Sequence, residues 1–319
     1  MLLDSLGRKI EYLRISVTDR CNFRCIYCQS RESFKFLPHS EILTYEEIEE
    51  IVRVACELGI RRIRITGGEP LVRRDIEVLI ERLSKIPGIE DLSLTTNGYF
   101  LLEKAEILKR AGLKRLNISL DTLNPEKFIK ITGGFDFHKV WLGILKAFEL
   151  GFEPLKLNMV VIRGFNDDEI LSLAKLTLEY PWEVRFIEFM PIGKNDLWRD
   201  ELVIPVKEIK DLLENYFPLE EVASFGGGPA KVFKWKGAKG RIGFISPVSE
   251  YFCSRCNRLR ITPDGRLRPC LFSDKEINLK EYLRNKNRDL REAFYLAMSL
   301  KPEKRELKNT KREMRAIGG

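Results

Sequence analysis

The sequence predicts an α/β fold in which parallel strands alternate with helices. Between residues 10 and 190, short apolar runs of strand length alternate with amphipathic segments of helix length. Connections of this length join parallel strands through right-handed crossovers. The 319 residues suffice for one large α/β unit, alone or with a smaller lobe. The pattern by itself leaves two architectures open, a partial barrel and a doubly wound sheet.

Six strands are predicted from runs rich in Ile, Val, Leu and Thr. They cover residues 11–17, 61–66, 90–96, 114–120, 155–162 and 183–190. The helices predicted between them cover residues 44–58, 75–86, 101–111, 138–150 and 167–179. In the first of these helices, Ile48, Ile51 and Ala55 recur on one face. Thr44 and Glu47 have the spacing of a capping box, which predicts the start of that helix.

The pattern changes after the sixth strand. Glycine clusters between short β runs in residues 215–246 predict antiparallel hairpins, and residues 275–300 again have a helical pattern. We therefore expect a parallel α/β unit in residues 1–195 and a smaller β/helical region in residues 196–319. Residues 301–319 are charged, weakly periodic and end in two glycines, which by composition predicts a flexible tail.

The charge balance is basic, with 55 Lys and Arg against 47 Asp and Glu, a net charge of +8. Such a balance suits a nucleic acid, a membrane surface or a small polyanionic substrate. No apolar stretch approaches the ~18 residues that a membrane helix needs. The first residues lack the apolar segment of a signal peptide. We therefore expect a cytoplasmic protein with no membrane partner.

The seven cysteines form two groups of three and one isolated residue. The groups, called here the first and second trio, are Cys21, Cys25 and Cys28, and Cys253, Cys256 and Cys270. An odd count without an export signal argues against a disulfide framework. With only two histidines in the chain, the trios indicate metal or redox chemistry through thiolates. Cys56 lies beside the apolar face of the first helix and is expected to be a buried, inert cysteine.

The first trio lies on a short loop directly after the first predicted strand. Three thiolates can bind three irons of a [4Fe–4S] cube and leave the fourth iron open, whereas structural zinc sites prefer four protein ligands. The second predicted strand ends in Gly67-Gly68-Glu69-Pro70. Glycines let the backbone approach a ligand, and backbone carbonyls or Glu69 can accept from an ammonium group. This combination resembles the radical S-adenosylmethionine (SAM) superfamily, in which SAM chelates the open iron.

The second trio has the spacing Cys253-x2-Cys256-x13-Cys270. A structural zinc site is one interpretation, since two cysteines separated by two residues often bind zinc. A third cysteine without a fourth favours a second cluster with an open iron. Arg258 and Arg260 are two residues apart on an extended segment, so they point to the same side and suit a phosphate-bearing ligand.

From about Leu13 to Gly319 the chain is similar to the GTP 3′,8-cyclase family of molybdenum cofactor synthesis. The resemblance rests on YLRISVTDRCNFRCIYC, IRITGGEPLVRRD, LSLTTNG, LNISLDTL, VRFIEFMP, FCSRCNRLRITPDGRLRPCL and the terminal RAIGG. It favours an incomplete (βα)6 TIM-type barrel with a smaller C-terminal β/helical region. It implies a lyase that converts GTP to (8S)-3′,8-cyclo-7,8-dihydroguanosine 5′-triphosphate through a 5′-deoxyadenosyl radical.

The resemblance also implies roles for individual residues. Two [4Fe–4S] clusters would be bound by Cys21, Cys25 and Cys28 and by Cys253, Cys256 and Cys270. SAM would contact Tyr27, Gly68, Ser119 and Met190. GTP would contact Arg14, Arg64, Thr95, Lys156, Arg185, Arg258, Leu259 and Arg260. Catalytic residues would be Arg14, Arg258, Arg260, Gly318 and Gly319, with the two glycines threading into the barrel beside the substrate.

The first trio, Gly68, Thr95, Ser119 and Met190 fall at or just past the C-terminal ends of predicted strands, where barrel active sites are built. Lys156 and Arg185 fall instead at the starts of theirs. The expected partners are an electron donor of the flavodoxin or ferredoxin type, a downstream cyclic pterin synthase and a second copy of the chain, with no nucleic acid. Two alternatives stay open: another two-cluster radical SAM enzyme such as a peptide maturase, and a zinc-stabilised nucleic-acid-binding protein.

Overall fold

A computed structural model describes residues 1–28, 35–193, 197–224, 227–285 and 287–318. Within these ranges, twelve strands form one sheet. The strands are β1 (Tyr12–Ser16), β2 (Arg62–Thr66), β3 (Asp91–Thr96), β4 (Arg115–Ser119), β5 (Lys156–Val161), β6 (Glu183–Glu188), β7 (Leu219–Val222), β8 (Lys231–Trp235), β9 (Arg241–Ile245), β10 (Arg258–Ile261), β11 (Arg266–Arg268) and β12 (Ile277–Asn278). The helices are α1 (Tyr45–Glu57), α2 (Ile76–Ser84), α3 (Leu101–Arg110), α4 (Pro125–Thr132), α5 (Phe137–Glu149), α6 (Ile170–Glu179), α7 (Val206–Glu214), α8 (Lys280–Leu283), α9 (Leu290–Ser299) and α10 (Met314–Ile317).

The strand order is β12-β11-β10-β1-β2-β3-β4-β5-β6-β9-β8-β7. Strands β1 to β6 are parallel neighbours, as the strand–helix alternation predicts. Strand β10 joins in parallel beside β1, and β9 joins in parallel beside β6. The antiparallel strands β11 and β12 extend one edge, and β8 and β7 extend the other. The predicted α/β class with an incomplete (βα)6 barrel is therefore confirmed.

The C-terminal region shares this sheet, because β9 and β10 pair with strands of the barrel unit. The expected division into residues 1–195 and 196–319 falls at residues 194–196, which lie outside the described ranges, and it stays a prediction. None of the helices in the described ranges is long and apolar enough to cross a membrane.

Alternation along the parallel strands separates an apolar face from a polar one. Leu13 and Ile15 of β1 are fully buried in the main apolar core, as is Ile63 of β2. Between them, Arg14 lies opposite Arg64 and lines the interior of the sheet's curve. Since side chains of a strand alternate between its faces, these strands place cations where most TIM barrels have branched apolar side chains.

The helices follow the predicted pattern closely. Thr44 and Glu47 form both hydrogen bonds of the capping box at the start of α1, and Cys56 is buried in the apolar core as expected. Helix α4 was absent from the predicted set. Its signals were present in the sequence, since Asn124 caps its first turn and Gly133, at φ +81°, ends it.

The composition-based prediction of a flexible tail is wrong for residues 301–318, which pack against the C-terminal region. Arg305 is 5% exposed, and its guanidinium lies 4.6 Å from the ring centroid of Tyr251. Arg312 forms ion pairs with Asp264 and Glu276 at 2.9 and 2.8 Å. The charges that resemble a solvated tail are thus matched by aromatic rings and carboxylates of the folded chain.

Candidate active site

The two cysteine trios line one cavity from opposite ends of the parallel strands: the first trio follows the C-terminal end of β1, and the second lies at the N-terminal end of β10. This cavity encloses about 2060 Å³ outside protein atoms, counting the part that is open to solvent. All six trio cysteines contribute to its wall, although 225 residues separate Cys28 from Cys253 in the sequence. The parallel pairing of β10 with β1 brings both segments to this cavity, because the loop after β1 and the segment before β10 lie at the two ends of neighbouring strands.

The segment after β2 holds the loop of the first trio in place. The Gly68 amide donates to the Thr18 carbonyl at 2.7 Å, and the Glu69 amide donates to the Arg20 carbonyl at 2.8 Å. A Cβ atom at Gly68 would lie 3.0 Å from the Asp19 carbonyl oxygen and still closer to that of Arg20. Glycine is therefore required here because the two backbones touch.

The Glu69 carboxylate is 1% exposed and has protein donors on both oxygens. One oxygen accepts from the Leu71 amide at 2.9 Å and the Thr96 hydroxyl at 2.8 Å, and the other accepts from the Asn97 amide at 2.7 Å. Burial raises the pKa of Glu69 to about 7. Glu69 thus connects the ends of β2 and β3 through hydrogen bonds. Because both of its oxygens already accept hydrogen bonds, the backbone carbonyls nearby are better acceptors for an ammonium group.

Asp121 anchors the first trio from the other side, a residue that sequence reasoning missed. The Tyr27 hydroxyl donates to its carboxylate at 2.6 Å, and the Val160 amide donates to the other oxygen at 2.9 Å. Burial raises the pKa of Asp121 to about 6. Its position just beyond β4, two residues after Ser119, was the available signal, since barrel sites collect polar residues there.

The second trio comes from two segments that an antiparallel pair brings together. Cys256 precedes β10 and Cys270 follows β11, and the register pairs Arg260 with Arg268. Burial alone would raise the pKa of Cys256, but the positive charges of Arg258 and Lys301 lower it to about 6. In the first trio, by contrast, burial raises the pKa of Cys28 to about 11.

The donor chemistry of both trios fits an iron–sulfur cluster. All seven cysteines are free thiols. In the described ranges, no three His, Cys, Asp or Glu side chains converge on a position for a single metal ion. A cubane cluster makes no such demand, because each thiolate binds a different iron atom. Each trio could therefore bind three irons of one cluster.

Six cations, called here the cation belt, project from neighbouring parallel strands toward the same interior. They are Arg14, Arg64, Lys156, Arg185, Arg258 and Arg260. Arg14 of β1 lies between Arg64 and Arg260 in the strand register. Glu183 pairs with Arg185 and lies 3.4 Å from the Lys156 ammonium. One carboxylate is thus paired with two of the six cations.

The belt is electrostatically costly without an anion. Burial, reinforced by repulsion from Arg260, lowers the pKa of Arg14 to about 9. Burial lowers the pKa of Arg64 to about 9 as well, and it lowers that of Lys156 to about 7, with Arg185 adding to the effect. Burial removes the favourable interaction of these cations with water. A bound polyanion would replace it with attraction between opposite charges.

The structure brings most of the predicted site residues to the cavity. Its wall includes Tyr27, Gly68, Ser119, Met190, Arg14, Arg64, Thr95, Arg185, Arg258 and Arg260. Lys156 lies deeper, 1% exposed beside Glu183. The Leu259 side chain is buried in the apolar core, on the opposite face of β10 from its arginine neighbours. Strand alternation therefore leaves only the backbone of Leu259 for a contact with a ligand.

The end of the chain enters the same interior. The Gly318 carbonyl accepts a hydrogen bond from the Arg260 guanidinium. A Cβ atom at Gly318 would lie 2.9 Å from the Ser16 Cβ and still closer to the Thr66 hydroxyl. Its φ of +85° also favours glycine. Gly319 lies outside the described residues.

Tripolyphosphate is expected to raise the melting temperature of the iron-loaded protein by roughly 5 °C near 100 times its Kd. The reason is that it neutralises the cation belt, and differential scanning fluorimetry measures the shift. Arg64→Gln should reduce the shift. Arg53→Gln, which changes an exposed arginine paired with Glu49, should retain it, and sodium chloride of equal ionic strength should not reproduce it. Equal shifts for both variants would contradict a phosphate site in the belt.

Residues 15–177 match the family described as the Radical SAM superfamily, and residues 182–307 match Molybdenum Cofactor Synthesis C. Among solved structures, Streptococcus suis SuiB bound to S-adenosylmethionine aligns with a TM-score of 0.64 at 17% identity. The alignment covers 86% of this chain and 64% of the SuiB chain, so this chain spans less than two thirds of SuiB. At this identity the likeness shows the fold alone. With the cysteine loop after β1, these matches define the class as a radical SAM protein.

Curated relatives narrow the class over the full length. A GTP 3′,8-cyclase of Pelotomaculum thermopropionicum is 48% identical over 99% of each chain. One of Thermodesulfovibrio yellowstonii is 49% identical, again over 99% of each chain. The chain belongs to the GTP 3′,8-cyclase family.

Proposed function

We propose that this chain cyclises GTP between C3′ of the ribose and C8 of the guanine, the first step of molybdenum cofactor synthesis. The observation that carries the proposal is one cavity that is lined by both cysteine trios and by Arg14, Arg64, Arg185, Arg258 and Arg260 of the cation belt. The full-length similarity to curated GTP 3′,8-cyclases supports it. Each alternative leaves a feature unexplained. A zinc-stabilised nucleic-acid-binding protein would not require the Gly67-Gly68-Glu69-Pro70 motif after β2, and a peptide maturase would not require the cation belt.

Cys21, Cys25 and Cys28 bind the first [4Fe–4S] cluster in this proposal. Once bound, that cluster and SAM supply a 5′-deoxyadenosyl radical, which removes the 3′ hydrogen of the ribose. SAM is held by Tyr27, Gly68, Ser119 and Met190. The hydrogen bond from Tyr27 to Asp121 orients that side of the site, and the tight backbone contact of Gly68 leaves its segment's carbonyls as acceptors for the SAM ammonium.

Cys253, Cys256 and Cys270 would hold a second [4Fe–4S] cluster, which would supply an open iron as a binding position for the guanine of GTP. This trio lines the cavity at the N-terminal end of β10, and the first trio lines it beyond the C-terminal end of β1, so the proposed substrate lies between them. Arg258 and Arg260 project into this space from β10. Their planar guanidinium groups suit two-point contacts with a phosphate or a base edge.

The cation belt binds the triphosphate. Arg64, Lys156 and Arg185 are buried, with 7% or less of each exposed, as is Arg260. Phosphate oxygens bound there would replace the interactions with water that these cations lose on burial. Arg14, Arg258 and Arg260 are the proposed catalytic side chains, and Gly318 positions Arg260 through its carbonyl. Thr95 and the backbone of Leu259 complete the proposed GTP contacts.

The partners of this reaction follow from its chemistry. Reductive cleavage of SAM requires one electron, for which we propose a donor of the flavodoxin or ferredoxin type. The cyclised nucleotide is then the substrate of a separate cyclic pterin synthase. The cytoplasmic location and the homodimer stay predictions.

Anaerobic incubation of the reconstituted protein with GTP, SAM and dithionite tests the proposal. We expect equal amounts of 5′-deoxyadenosine and a cyclised nucleotide, measured by liquid chromatography with mass spectrometry, because each radical is consumed by one GTP. Omitting SAM should abolish both products, and Cys25→Ser should do the same. Formation of 5′-deoxyadenosine with GTP left unchanged in the complete mixture would contradict the assigned substrate.

A further inference from the structure

The second trio is held together by a buried cation outside the cation belt. Its cysteines lie on two separate segments, Cys253 and Cys256 before β10 and Cys270 after β11. A cluster bound by such a trio needs these segments at a constant distance from each other. The antiparallel pairing of β10 with β11 fixes the strands, but the cysteines lie beyond the strand ends.

Lys301, two residues beyond the end of α9, connects the two segments directly. Its ammonium donates to the Arg258 carbonyl at 2.8 Å and to the Pro269 carbonyl at 2.9 Å, and it lies 3.6 Å from the Cys256 sulfur. Pro269 immediately precedes Cys270. An ammonium group has three N–H donors, so every donor of Lys301 is directed at the second trio or its neighbours.

A second cation extends this arrangement to the remaining cysteine. The Arg8 guanidinium donates to the Cys253 carbonyl at 2.7 Å and to the Pro302 carbonyl at 2.8 Å. Arg8 is itself paired with the buried carboxylate of Asp4. The chain at Lys301 and Pro302 is therefore bonded to the segments of all three cysteines, directly or through Arg8.

The charge on Lys301 has no carboxylate partner among the described residues. Lys301 is 5% exposed, and its ammonium contacts two backbone carbonyls and the Cys256 sulfur. A buried ammonium without an opposite charge is strongly unfavourable. A thiolate sulfur at Cys256, the form in which cysteine binds a metal, supplies that charge 3.6 Å from the ammonium.

We propose that Lys301 is a positioning residue for the second cluster, which holds the two cysteine segments together and donates an N–H···S hydrogen bond to Cys256. This inference rests on the proposed second cluster. The hydrogen bond and the positive charge stabilise the reduced cluster more than the oxidised one, so Lys301 raises the cluster's reduction potential.

The test uses full-length Lys301→Met, reconstituted anaerobically, with Lys308→Met as the matched control. Lys308 lies on the same segment, 53% exposed and paired with Glu306. We expect one of two losses in Lys301→Met: iron falls from about eight to about four per chain, or the second cluster is retained at a lower potential. Reductive SAM cleavage should persist in either case, because the first trio is untouched.

The potential is measured by an electron paramagnetic resonance redox titration in a background with Cys21, Cys25 and Cys28 replaced by serine, so that the second cluster is the one observed. Lys301→Arg keeps the charge and donors, and it should recover most of the iron lost in Lys301→Met. Unchanged iron and potential in Lys301→Met would overturn the proposal. Loss of SAM cleavage together with iron would also overturn it, since Lys301 would then support folding in general. If the serine background with Lys301 intact binds no cluster, the proposed second cluster itself fails.

Discussion

Replacing Gly318 with alanine is expected to lower the rate of GTP cyclisation by roughly 100-fold or more, while reductive SAM cleavage continues. The added methyl group would collide with Thr66 and approach the Ser16 Cβ to 2.9 Å. Relief of that collision moves the Gly318 carbonyl away from the Arg260 guanidinium that it now holds. The expected result is uncoupled 5′-deoxyadenosine with little cyclised nucleotide, both measured in one anaerobic assay.

The matched control for this change is Gly237→Ala. Gly237 has φ +80°, close to the +85° of Gly318, but a Cβ atom there would meet no atom within 4 Å. It therefore carries the same backbone strain without the collision, and its turnover should stay near that of the unmodified chain. Deleting residues 318 and 319 should reproduce the uncoupling, with iron content intact. Normal cyclisation by the truncated chain would show that the end of the chain has no part in the reaction.

Replacing Cys253 with alanine is expected to halve the iron, from about eight to about four per chain, and to abolish cyclised nucleotide. The second cluster loses one of its three ligands, whereas the first trio lies on a different segment and keeps its own. Reductive SAM cleavage should therefore persist. Iron analysis, zinc analysis and product assay on the same anaerobic preparation measure all of these effects.

Cys56→Ala is the control for the loss of a cysteine as such. Cys56 is buried in the apolar core away from both trios, so this variant should keep the full iron content and turn over GTP. Stoichiometric zinc in the unmodified protein would contradict the second cluster. Loss of SAM cleavage in Cys253→Ala would contradict the proposal that the first trio alone supports SAM cleavage.

Local sequence patterns were sufficient for the repeating part of the fold. The six predicted strands match β1 to β6 within two residues at each end, because apolar periodicity and strand length are properties of adjacent residues. The capping box of α1 was predictable for the same reason, since Thr44 and Glu47 bond to each other's backbone. The cysteine spacings likewise indicated cluster chemistry, because one loop supplies all three thiolates of the first trio.

The sequence was a poor guide to charged residues whose interaction partners are distant in the sequence. By composition the last residues predict a solvated tail, yet Lys301 and Arg305 are each 5% exposed. Asp121 gave little signal, because its importance comes from the Tyr27 hydroxyl, 94 residues away. The GTP contact of Leu259 stays a prediction, and because β10 sends its side chain into the core, the backbone is the part left for that contact.

The sequence by itself determined the α/β class, the positions of strands β1 to β6 along the chain and the two cysteine trios. Only the tertiary structure decided that β10 pairs beside β1, which places both trios on one cavity. It also decided that the charges of Arg64, Lys156 and Arg185 lie inside the sheet's curve rather than in solvent. The physical reason is that burial of a charge depends on what surrounds it in space, and for these cations the surroundings come from strands and loops distributed over the whole chain.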